Sequence, residues 1–385
     1  MTRDADRTGT SSPAPAPAGE PPALGERRSP SEPPSLLQRY RGLLCDLDGV
    51  VVRGHLAIPH AIDALTGAQD AGLGVAYVTN NASRPPEDVV EMLRGLGARL
   101  EAREVVTSAQ AGAAQLAAML DPGSLVLAVG GPGVSLAVER AGLEPLTPDQ
   151  ARAAGHAGDA RPVAGVLQGY GRDVGWADLA EAAYAVQAGA TWVATNVDLT
   201  LPTDRGVAPG NGSLVACVRN ATGVSPLVMG KPEPPLYELA AAILGVPAQQ
   251  TLALGDRLDT DIEGAVATGV DSLWVISGVH TPADVLLAPA RQRPRFLARD
   301  LRALAEPYLD ATVDEDPQGP RGGCGAARVI VTGCEVSDAG SGSATQRLRA
   351  GVAAGWAALD AGEKLTPDAA TRGSAAILEA FGEES

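Results

Sequence analysis

Four apolar runs of the chain each end in a short segment whose polar side chains could do chemistry. These segments are DLDGV with Asp46 and Asp48, VTNNAS with Thr79 and Asn80, GKPEP with Lys231, and GDRLDTD with Asp256, Asp259 and Asp261. Each segment alone is a weak signal, because an aspartate at the end of a strand is often only a helix cap. Four such segments together, with several carboxylates, one threonine and one lysine, are improbable as capping alone.

The carboxylates of these segments predict a divalent cation. Three or more carboxylates that converge at the edge of a sheet repel one another unless a cation lies among them. The segments contain no histidine, and the one cysteine beside them is Cys45. Oxygen ligands of this kind favour Mg²⁺ over Zn²⁺.

The same residue types suit phosphoryl transfer. A carboxylate can attack phosphorus directly and form an aspartyl-phosphate. A magnesium ion and a lysine neutralise the charge of the transferring group, while a hydroxyl and backbone N–H groups hold its oxygens. Alternate side chains of an extended strand point the same way, so Asp46 and Asp48 can reach one pocket.

Strands and helices must alternate around these segments if the polar residues are to meet. RGLLCDLDGVVV is a short apolar run that ends in acids and glycine, as a buried parallel strand would, and GVAYVTNNAS is a second strand with a polar exit. PHAIDALTGAQDAG, which lies between them, has helical spacing. This alternation predicts an α/β fold with a doubly wound parallel sheet, in which ligands bind beyond the carboxyl ends of the strands.

The pattern also predicts an inserted domain. Strand–helix units that end in the polar segments cover residues 36–104 and occur again over 210–309. Residues 105–209, which lie between them, have strands and helices of their own. We therefore predict one Rossmann-like α/β core interrupted by an inserted α/β domain. Residues 1–35 are rich in Pro, Ala, Ser and charge, so we predict a disordered tail there.

Residues 310–385 are predicted to form a linker followed by one strand and one amphipathic helix. The helix carries one apolar stripe, formed by Leu348, Val352, Trp356 and Leu359. The stripe must cover either the flank of the core or the same region of a second subunit, and we favour the second, which would make the protein a homodimer. Because all four polar segments precede this extension, we expect their chemistry not to need it.

Composition excludes several classes of partner. The 385 residues include 30 Lys+Arg and 46 Asp+Glu, a net charge of −16, and such a surface repels nucleic-acid phosphate and anionic lipid. No apolar run approaches the ~20 residues of a membrane span, and the N-terminus lacks the apolar region of a secretory signal. The four cysteines lie far apart, which fits a reducing compartment. We expect a cytoplasmic protein that acts on a small molecule.

The four segments, in this order, resemble the four motifs of the haloacid dehalogenase-like hydrolase superfamily. The insert between the second and third motifs, together with the sequence VATNVDLTLPTDRGVAPGNGSL, resembles that of the class IIA branch of the superfamily. That branch includes nitrophenyl-phosphatase-like, phosphoglycolate and glycerol 3-phosphate phosphatases. The resemblance covers about Leu36 to Leu309 and is greatest to the actinobacterial glycerol 3-phosphate phosphatases, which also carry a C-terminal extension.

The resemblance implies a role for each motif residue. Asp46 would be the nucleophile and a Mg²⁺ ligand. Asp48 would protonate the leaving alcohol and then activate water, while its backbone carbonyl binds the metal. Thr79 and Asn80 would hold the phosphoryl oxygens, and Lys231 would balance the charge of Asp46 and of the phosphate.

Further residues receive roles from the same resemblance. Asp256 would complete the metal shell, and Asp261 would orient Lys231 or a water on the metal. Asp259 matches a position that is more often outside the metal shell. The insert would cover the active site as a cap, where Asp204 or Arg205 could contact the leaving part of the substrate; a salt bridge on the hinge side is the alternative for both.

The resemblance thus implies a Mg²⁺-dependent phosphatase of small phosphate monoesters, with glycerol 3-phosphate as the leading substrate. The alternatives are 2-phosphoglycolate, a sugar phosphate, a nucleoside monophosphate or a phosphoprotein. A phospho-acceptor regulatory module is a different class that also uses Asp, Thr, Lys and an acid cluster. Asp48 argues against that class, because a general acid/base beside the nucleophile promotes turnover rather than storage.

Overall fold

The computed structural model describes residues 32–154, 161–203, 205–332, 335–338 and 340–383. The predicted disordered tail lies outside these residues up to position 31. Ser35, the last residue of that predicted tail, is buried and forms an isolated β-bridge with Pro307.

Strands and helices alternate through the described residues. In chain order the strands are β1 (Gly42–Asp46), β2 (Val52–Arg53), β3 (Leu56–Ala57), β4 (Gly74–Thr79), β5 (Val105–Thr107), β6 (Leu125–Val129), β7 (Glu144–Leu146), β8 (Gly165–Gln168), β9 (Thr191–Ala194), β10 (Thr200–Thr203), β11 (Gly206–Pro209), β12 (Leu227–Val228), β13 (Thr251–Gly255), β14 (Asp271–Val275), β15 (Phe296–Ala298), β16 (Thr312–Asp316), β17 (Gly319–Cys324), β18 (Ala327–Thr332) and β19 (Glu335–Asp338). The α-helices are α1 (Leu36–Arg39), α2 (Ala61–Asp70), α3 (Pro86–Gly95), α4 (Ser108–Met119), α5 (Pro132–Arg140), α6 (Pro148–Ala154), α7 (Trp176–Gln187), α8 (Asn211–Thr222), α9 (Pro235–Leu244), α10 (Glu263–Thr268), α11 (Pro282–Leu286), α12 (Ala344–Asp360) and α13 (Pro367–Glu383).

Six parallel strands form the core sheet, in the order β15-β14-β13-β1-β4-β5. β1 and β13 lie side by side in the middle and are buried along their whole length, and this agrees with the apolar residues that precede Asp46 in β1 and Asp256 after β13. Helices cover both faces: Leu65 of α2 packs in the apolar cluster on one face, and Leu116 of α4 and Leu236 of α9 in that on the other. The predicted α/β class with a doubly wound parallel-sheet core is therefore confirmed.

The insert has a second parallel sheet, in the order β12-β9-β8-β6-β7. Both boundaries of the insert differ from the predicted ones when strands are assigned by the sheet in which they pair. β5, assigned to the insert from the sequence, pairs with β4 in the core sheet, whereas β12, assigned to the core, pairs with β9. α8 also packs in the apolar cluster of the second sheet. The boundaries were misplaced because both sheets are built from strand–helix units with the same periodicity, so nothing local distinguishes them.

The C-terminal extension is larger than predicted. Thr312–Asp316 and Gly319–Cys324, expected to lie in a linker, are strands of a four-stranded antiparallel sheet in the order β16-β17-β18-β19, and two helices follow it. The prediction of one strand and one helix was wrong because TVDED and GPRGGC lack an apolar alternation. Their pairing partners, rather than their composition, make them strands.

The apolar stripe of α12 covers the core of its own chain. Leu348 and Val352 are buried in one cluster with Trp274 of β14, and Trp356 packs against it. Leu359 packs in a neighbouring cluster with Leu286 of α11. The interpretation that a second subunit covers this stripe is therefore wrong, because the stripe has its partner within the chain.

None of the helices among the described residues combines the length and the apolar character that crossing a bilayer requires.

Candidate active site

A buried lysine joins two of the four motifs. Asp46 is the last residue of β1, and Lys231 Nζ donates to its Oδ1 over 2.5 Å and to Asp261 Oδ1 over 2.7 Å. The Lys231 and Asp261 side chains are each only 2% exposed. Asp261 Oδ2 accepts the backbone N–H of Arg257 at 3.1 Å, so both of its oxygens are bonded within the protein.

Asp256 completes a group of three carboxylates. It follows the end of β13, and its Oδ2 accepts the backbone N–H of Val279 at 2.6 Å. Its Oδ1 is buried and has no hydrogen-bond partner among the residues that the structure describes. One carboxylate oxygen from each of Asp46, Asp256 and Asp261 lies within 4.8 Å of the others. An acceptor without a donor, deep among carboxylates, is what a bound cation would satisfy.

The charges of this cluster do not balance. Three carboxylates and one ammonium give 1 − 3, or two negative charges, in a site with little access to solvent. Burial disfavours the charge of Lys231, but the carboxylates of Asp261 and Asp46 outweigh that and raise its pKa well above the ordinary value. Burial, together with the charge of Asp261, raises the pKa of Asp256 to about 7. A divalent cation would supply the missing positive charge and keep Asp256 ionised.

The residues present therefore fit Mg²⁺. The cluster offers oxygen atoms only, and it includes an unbonded buried oxygen on Asp256. Asp261 is occupied by Lys231 and by the Arg257 backbone, which leaves Asp46 and Asp256 as the carboxylates free to hold a metal.

Asp48 and Thr79 lie at the same edge of the core sheet. Asp48 comes two residues after Asp46, and its side chain reaches solvent at the mouth of the site. The surrounding protein nevertheless removes part of its hydration and so raises its pKa, an effect that the charges of Lys231 and Arg84 oppose. Thr79 ends β4, beside β1, and is buried; its Oγ1 accepts the backbone N–H of Asn81 at 3.0 Å.

Asn80 connects the second motif to the third. Its Oδ1 accepts the backbone N–H of Lys231 at 2.8 Å, and its Nδ2 donates to the Lys231 carbonyl at 2.9 Å. The same Nδ2 lies 3.3 Å from the carboxylate of Asp198 in the insert. Because the side-chain amide is used in this way, a contact from Asn80 to a phosphoryl oxygen would come from its backbone N–H.

The structure does not bring every predicted residue to this cluster. Asp204 lies outside the described residues. Arg205 is exposed in the turn between β10 and β11, where its backbone N–H donates to Thr203 Oγ1 at 3.3 Å. Asp259 forms an ion pair with Arg257 at 2.9 Å, outside the contacts of Lys231.

The segment after β14 also shapes the site, and sequence reasoning missed it. Val279 donates its N–H to Asp256, and Ser277 Oγ donates to the carbonyl of Gly49 at 2.7 Å. A Cβ at Gly278 would lie 1.8 Å from Asp256 Oδ2, and one at Gly49 would lie 2.5 Å from the same carboxylate. The available signal was that SLWVISG is a further apolar strand that ends in small residues at the same sheet edge as the motifs.

We expect Gly278→Ala to weaken divalent-cation binding. The added methyl group would displace the Asp256 carboxylate, and disturbing a group that orients a ligand typically costs about tenfold or more in metal affinity. Isothermal titration of the purified protein with Mg²⁺ measures this. The control is Gly67→Ala in α2, where an added Cβ meets nothing within 4 Å. Equal affinities for the two variants would contradict the expectation.

Two family models match the chain. The model described as haloacid dehalogenase-like hydrolase matches residues 43–144, and one described as HAD-hydrolase-like matches residues 228–304. The first match includes Asp46, Asp48, Thr79 and Asn80, and the second includes Lys231, Asp256 and Asp261.

Relatives over longer stretches are phosphatases. The chain is 44% identical over 270 residues to the D-glycerol 3-phosphate phosphatase of Mycobacterium tuberculosis, which is 70% of this chain and 72% of the relative. It is 36% identical over 249 residues to the acid sugar phosphatase of Staphylococcus aureus, which is 65% of this chain and 91% of the relative.

Solved structures of phosphatases also resemble this one. The structure resembles that of a glycerol phosphate phosphatase from Mycobacterium tuberculosis in complex with magnesium, with a TM-score of 0.71, 40% identity, and coverage of 84% of this chain and 92% of the other. It also resembles p-nitrophenyl phosphatase from Archaeoglobus fulgidus, with a TM-score of 0.62, 25% identity, and coverage of 69% and 98%.

Proposed function

The chain belongs to the haloacid dehalogenase-like hydrolases, and on that basis we propose that it is a Mg²⁺-dependent phosphatase of small phosphate monoesters that acts on glycerol 3-phosphate. The observation that carries the proposal is the contact of Lys231 with Asp46 and Asp261 beside the unbonded oxygen of Asp256. This arrangement combines a buried carboxylate nucleophile, a fixed ammonium group and an unbonded carboxylate oxygen that can serve as a metal ligand.

In the proposed reaction Asp46 acts as the nucleophile. One of its carboxylate oxygens attacks phosphorus, the bond from phosphorus to the ester oxygen breaks, and Asp48 gives its proton to the leaving alcohol. Asp48 then takes a proton from water, whose oxygen attacks the aspartyl-phosphate; inorganic phosphate leaves and the Asp46 carboxylate is regenerated. The raised pKa of Asp48 supports its role as the acid of the first step.

The remaining residues hold charge and geometry. Asp46, Asp256 and the backbone carbonyl of Asp48 would hold Mg²⁺, which when bound neutralises negative charge on the phosphoryl group. Burial raises the pKa of Asp46, and Lys231 would oppose this and orient the carboxylate, while Asp261 would hold Lys231 in place. The Thr79 hydroxyl and the Asn80 backbone N–H would bind phosphoryl oxygens.

Glycerol 3-phosphate is proposed as the substrate because of the 44% identity to a D-glycerol 3-phosphate phosphatase. The match to an acid sugar phosphatase makes a sugar phosphate the second candidate. Among residues of the insert, Asp198 contacts Asn80 directly, whereas Arg205 lies in an exposed turn. Asp204 and Arg205 remain proposed contacts for the leaving group.

The test is steady-state phosphate release by the purified protein from a panel of esters. The panel contains glycerol 3-phosphate, 2-phosphoglycolate, a sugar phosphate, a nucleoside monophosphate and p-nitrophenyl phosphate. We expect multiple turnovers and the highest kcat/KM for glycerol 3-phosphate. A higher kcat/KM for another member would reassign the substrate, and phosphorylation without release would favour the phospho-acceptor module.

Activity should require Mg²⁺ and be inhibited by Ca²⁺. Calcium accepts the same oxygens but prefers about 6–8 ligands at longer distances, so it would misplace the attacking carboxylate. Phosphate release is measured after chelation, after restoring Mg²⁺, and with Ca²⁺ added to the Mg²⁺ enzyme. Full activity after exhaustive chelation would contradict the prediction.

Cytoplasmic location and homodimer formation also stay proposals. The net charge of −16 supports a small-molecule partner rather than nucleic acid. A homodimer no longer has the α12 stripe as its support, since that stripe is covered within the chain. Light scattering of the purified protein measures the mass in solution.

A further inference from the structure

Helix α12 of the C-terminal extension shares an apolar cluster with the fourth motif. Leu258 and Ile262, which are the ends of the short π-helical turn Leu258–Ile262, are buried in one cluster with Leu348 and Val352 of α12. Asp259 and Asp261 lie within that turn. The apolar side of the segment that carries Asp261 therefore belongs to the same cluster as α12 of the extension.

Trp274 links the same cluster to Asp256. The Trp274 side chain is fully buried in the cluster with Leu348 and Val352. Its indole Nε1 donates to the backbone carbonyl of Asp256 at 2.9 Å. The backbone that presents the unbonded Asp256 oxygen is thus held by a ring that packs with the extension.

Helix α12 is fixed to the core along its length. Arg349 Nε donates to the carbonyl of Leu297 in β15 at 2.9 Å, and its guanidinium carbon lies 3.7 Å from the centre of the Tyr308 ring. Two turns further on, Trp356 Nε1 donates to the carbonyl of Val285 in α11 at 2.8 Å. A Cβ at Gly355 would lie 2.9 Å from Leu286, so the two helices are in close contact there. These contacts describe a helix with one defined position on the core.

We propose that α12 is a positioning element for the metal site, acting through Trp274 on the metal-binding carboxylate of Asp256 and through Leu258 and Ile262 on Asp261, which holds Lys231 in place. Close-packed side chains transmit displacement because few voids exist to absorb it. Loss of volume under Trp274 or beside Ile262 would loosen the backbone that carries both carboxylates. This inference rests on the proposed function, and it replaces the expectation that the chemistry does not need the extension.

Two matched substitutions in the full chain test the proposal. Val352→Ala removes two methyl groups from the shared cluster, and Val331→Ala removes the same two from a neighbouring cluster that joins β18, α12 and α11 and contains no motif residue. Both valines are at most 1% exposed. Mg²⁺ alone is titrated calorimetrically into each variant and into the wild type, at a temperature where thermal unfolding shows all three to be folded.

We expect Val352→Ala to raise the Kd for Mg²⁺ by about fivefold, since groups that orient metal ligands usually contribute more than that when removed outright. Val331→Ala should lower the Tm about as much as Val352→Ala does, but it should leave the Kd for Mg²⁺ at the wild-type value. A wild-type Kd in Val352→Ala would overturn the proposal, because the extension would then contribute stability alone. An equal rise in both variants would also overturn it, because the effect would then not depend on the cluster shared with the fourth motif.

Trp274→Phe tests the route through Asp256. Phenylalanine keeps a ring in the cluster but removes the N–H donor, so the Kd for Mg²⁺ should rise about fivefold, the equivalent of one lost hydrogen bond. An unchanged Kd would exclude this route.

The outcomes also separate this proposal from the proposed function. If the wild type binds Mg²⁺ but releases no phosphate from any ester, the proposed function fails, while the comparison of Val352→Ala with Val331→Ala still decides the role of α12. If the wild type turns over phosphate esters and the two variants bind Mg²⁺ alike, only the role of α12 is overturned. A wild type that binds no Mg²⁺ overturns both.

Discussion

Asp46→Asn should abolish turnover and prevent formation of a covalent phospho-enzyme. An amide is not a nucleophile toward phosphorus, and the substitution also removes the negative charge that pairs with Lys231 at 2.5 Å. Removal of a catalytic nucleophile can cost about 10⁶-fold in kcat, so we expect a loss of at least about 1,000-fold.

Two measurements check this prediction. Steady-state phosphate release gives kcat, and acid quenching followed by mass spectrometry detects an aspartyl-phosphate in the wild type and its absence in the variant. Asp63→Asn is the control, because it makes the same chemical change on an exposed position of α2. If Asp46→Asn kept more than about a tenth of the wild-type kcat, the covalent step would contribute less than about 1.4 kcal/mol and the assignment would fail.

Lys231→Arg should lose most of the phosphatase activity, even though arginine preserves the positive charge. Lys231 Nζ fits between Asp46 at 2.5 Å and Asp261 at 2.7 Å, and its backbone is held on both sides by the amide of Asn80. A planar guanidinium on a longer side chain would displace one carboxylate. Losing a fixed donor at the site of developing charge typically costs about 100-fold or more in kcat.

The chain offers a matched control for this substitution, since Lys364 is its other lysine and is exposed. Lys364→Arg should keep wild-type kcat/KM, and thermal unfolding should show both variants to be folded. Wild-type kcat/KM in Lys231→Arg would show that charge alone is sufficient, and that the geometry of the lysine does not matter.

The convergence of the motifs could be predicted from the sequence for a physical reason. Apolar runs that end in polar residues predict parallel strands, and the carboxyl ends of parallel strands meet at one edge of a sheet. β13, β1 and β4 are neighbours in the core sheet, so Asp46 and Thr79, which end their strands, and Asp256, which follows its strand, come together at one edge.

The precise partners of the same residues depended on contacts between distant parts of the chain. Asn80 was predicted to bind phosphate, yet its side chain binds the backbone of Lys231 and lies against Asp198. The segment around Gly278 has no motif of its own, and it shapes the site only because β14 ends beside Asp256.

The class of fold, the family and the set of residues that could do chemistry follow from the amino-acid sequence, because these depend on local periodicity and on motifs that are continuous in the chain. Three further features depend on contacts between distant residues and are seen only in the fold: the limits of the insert, the strands Thr312–Asp316 and Gly319–Cys324, and the surface against which the stripe of α12 packs. An amphipathic pattern states which face of an element is apolar, and it carries no information about which surface packs there. The stripe of α12 could have faced a second subunit; shape and volume at Trp274 and Ile262 made its partner the core of its own chain.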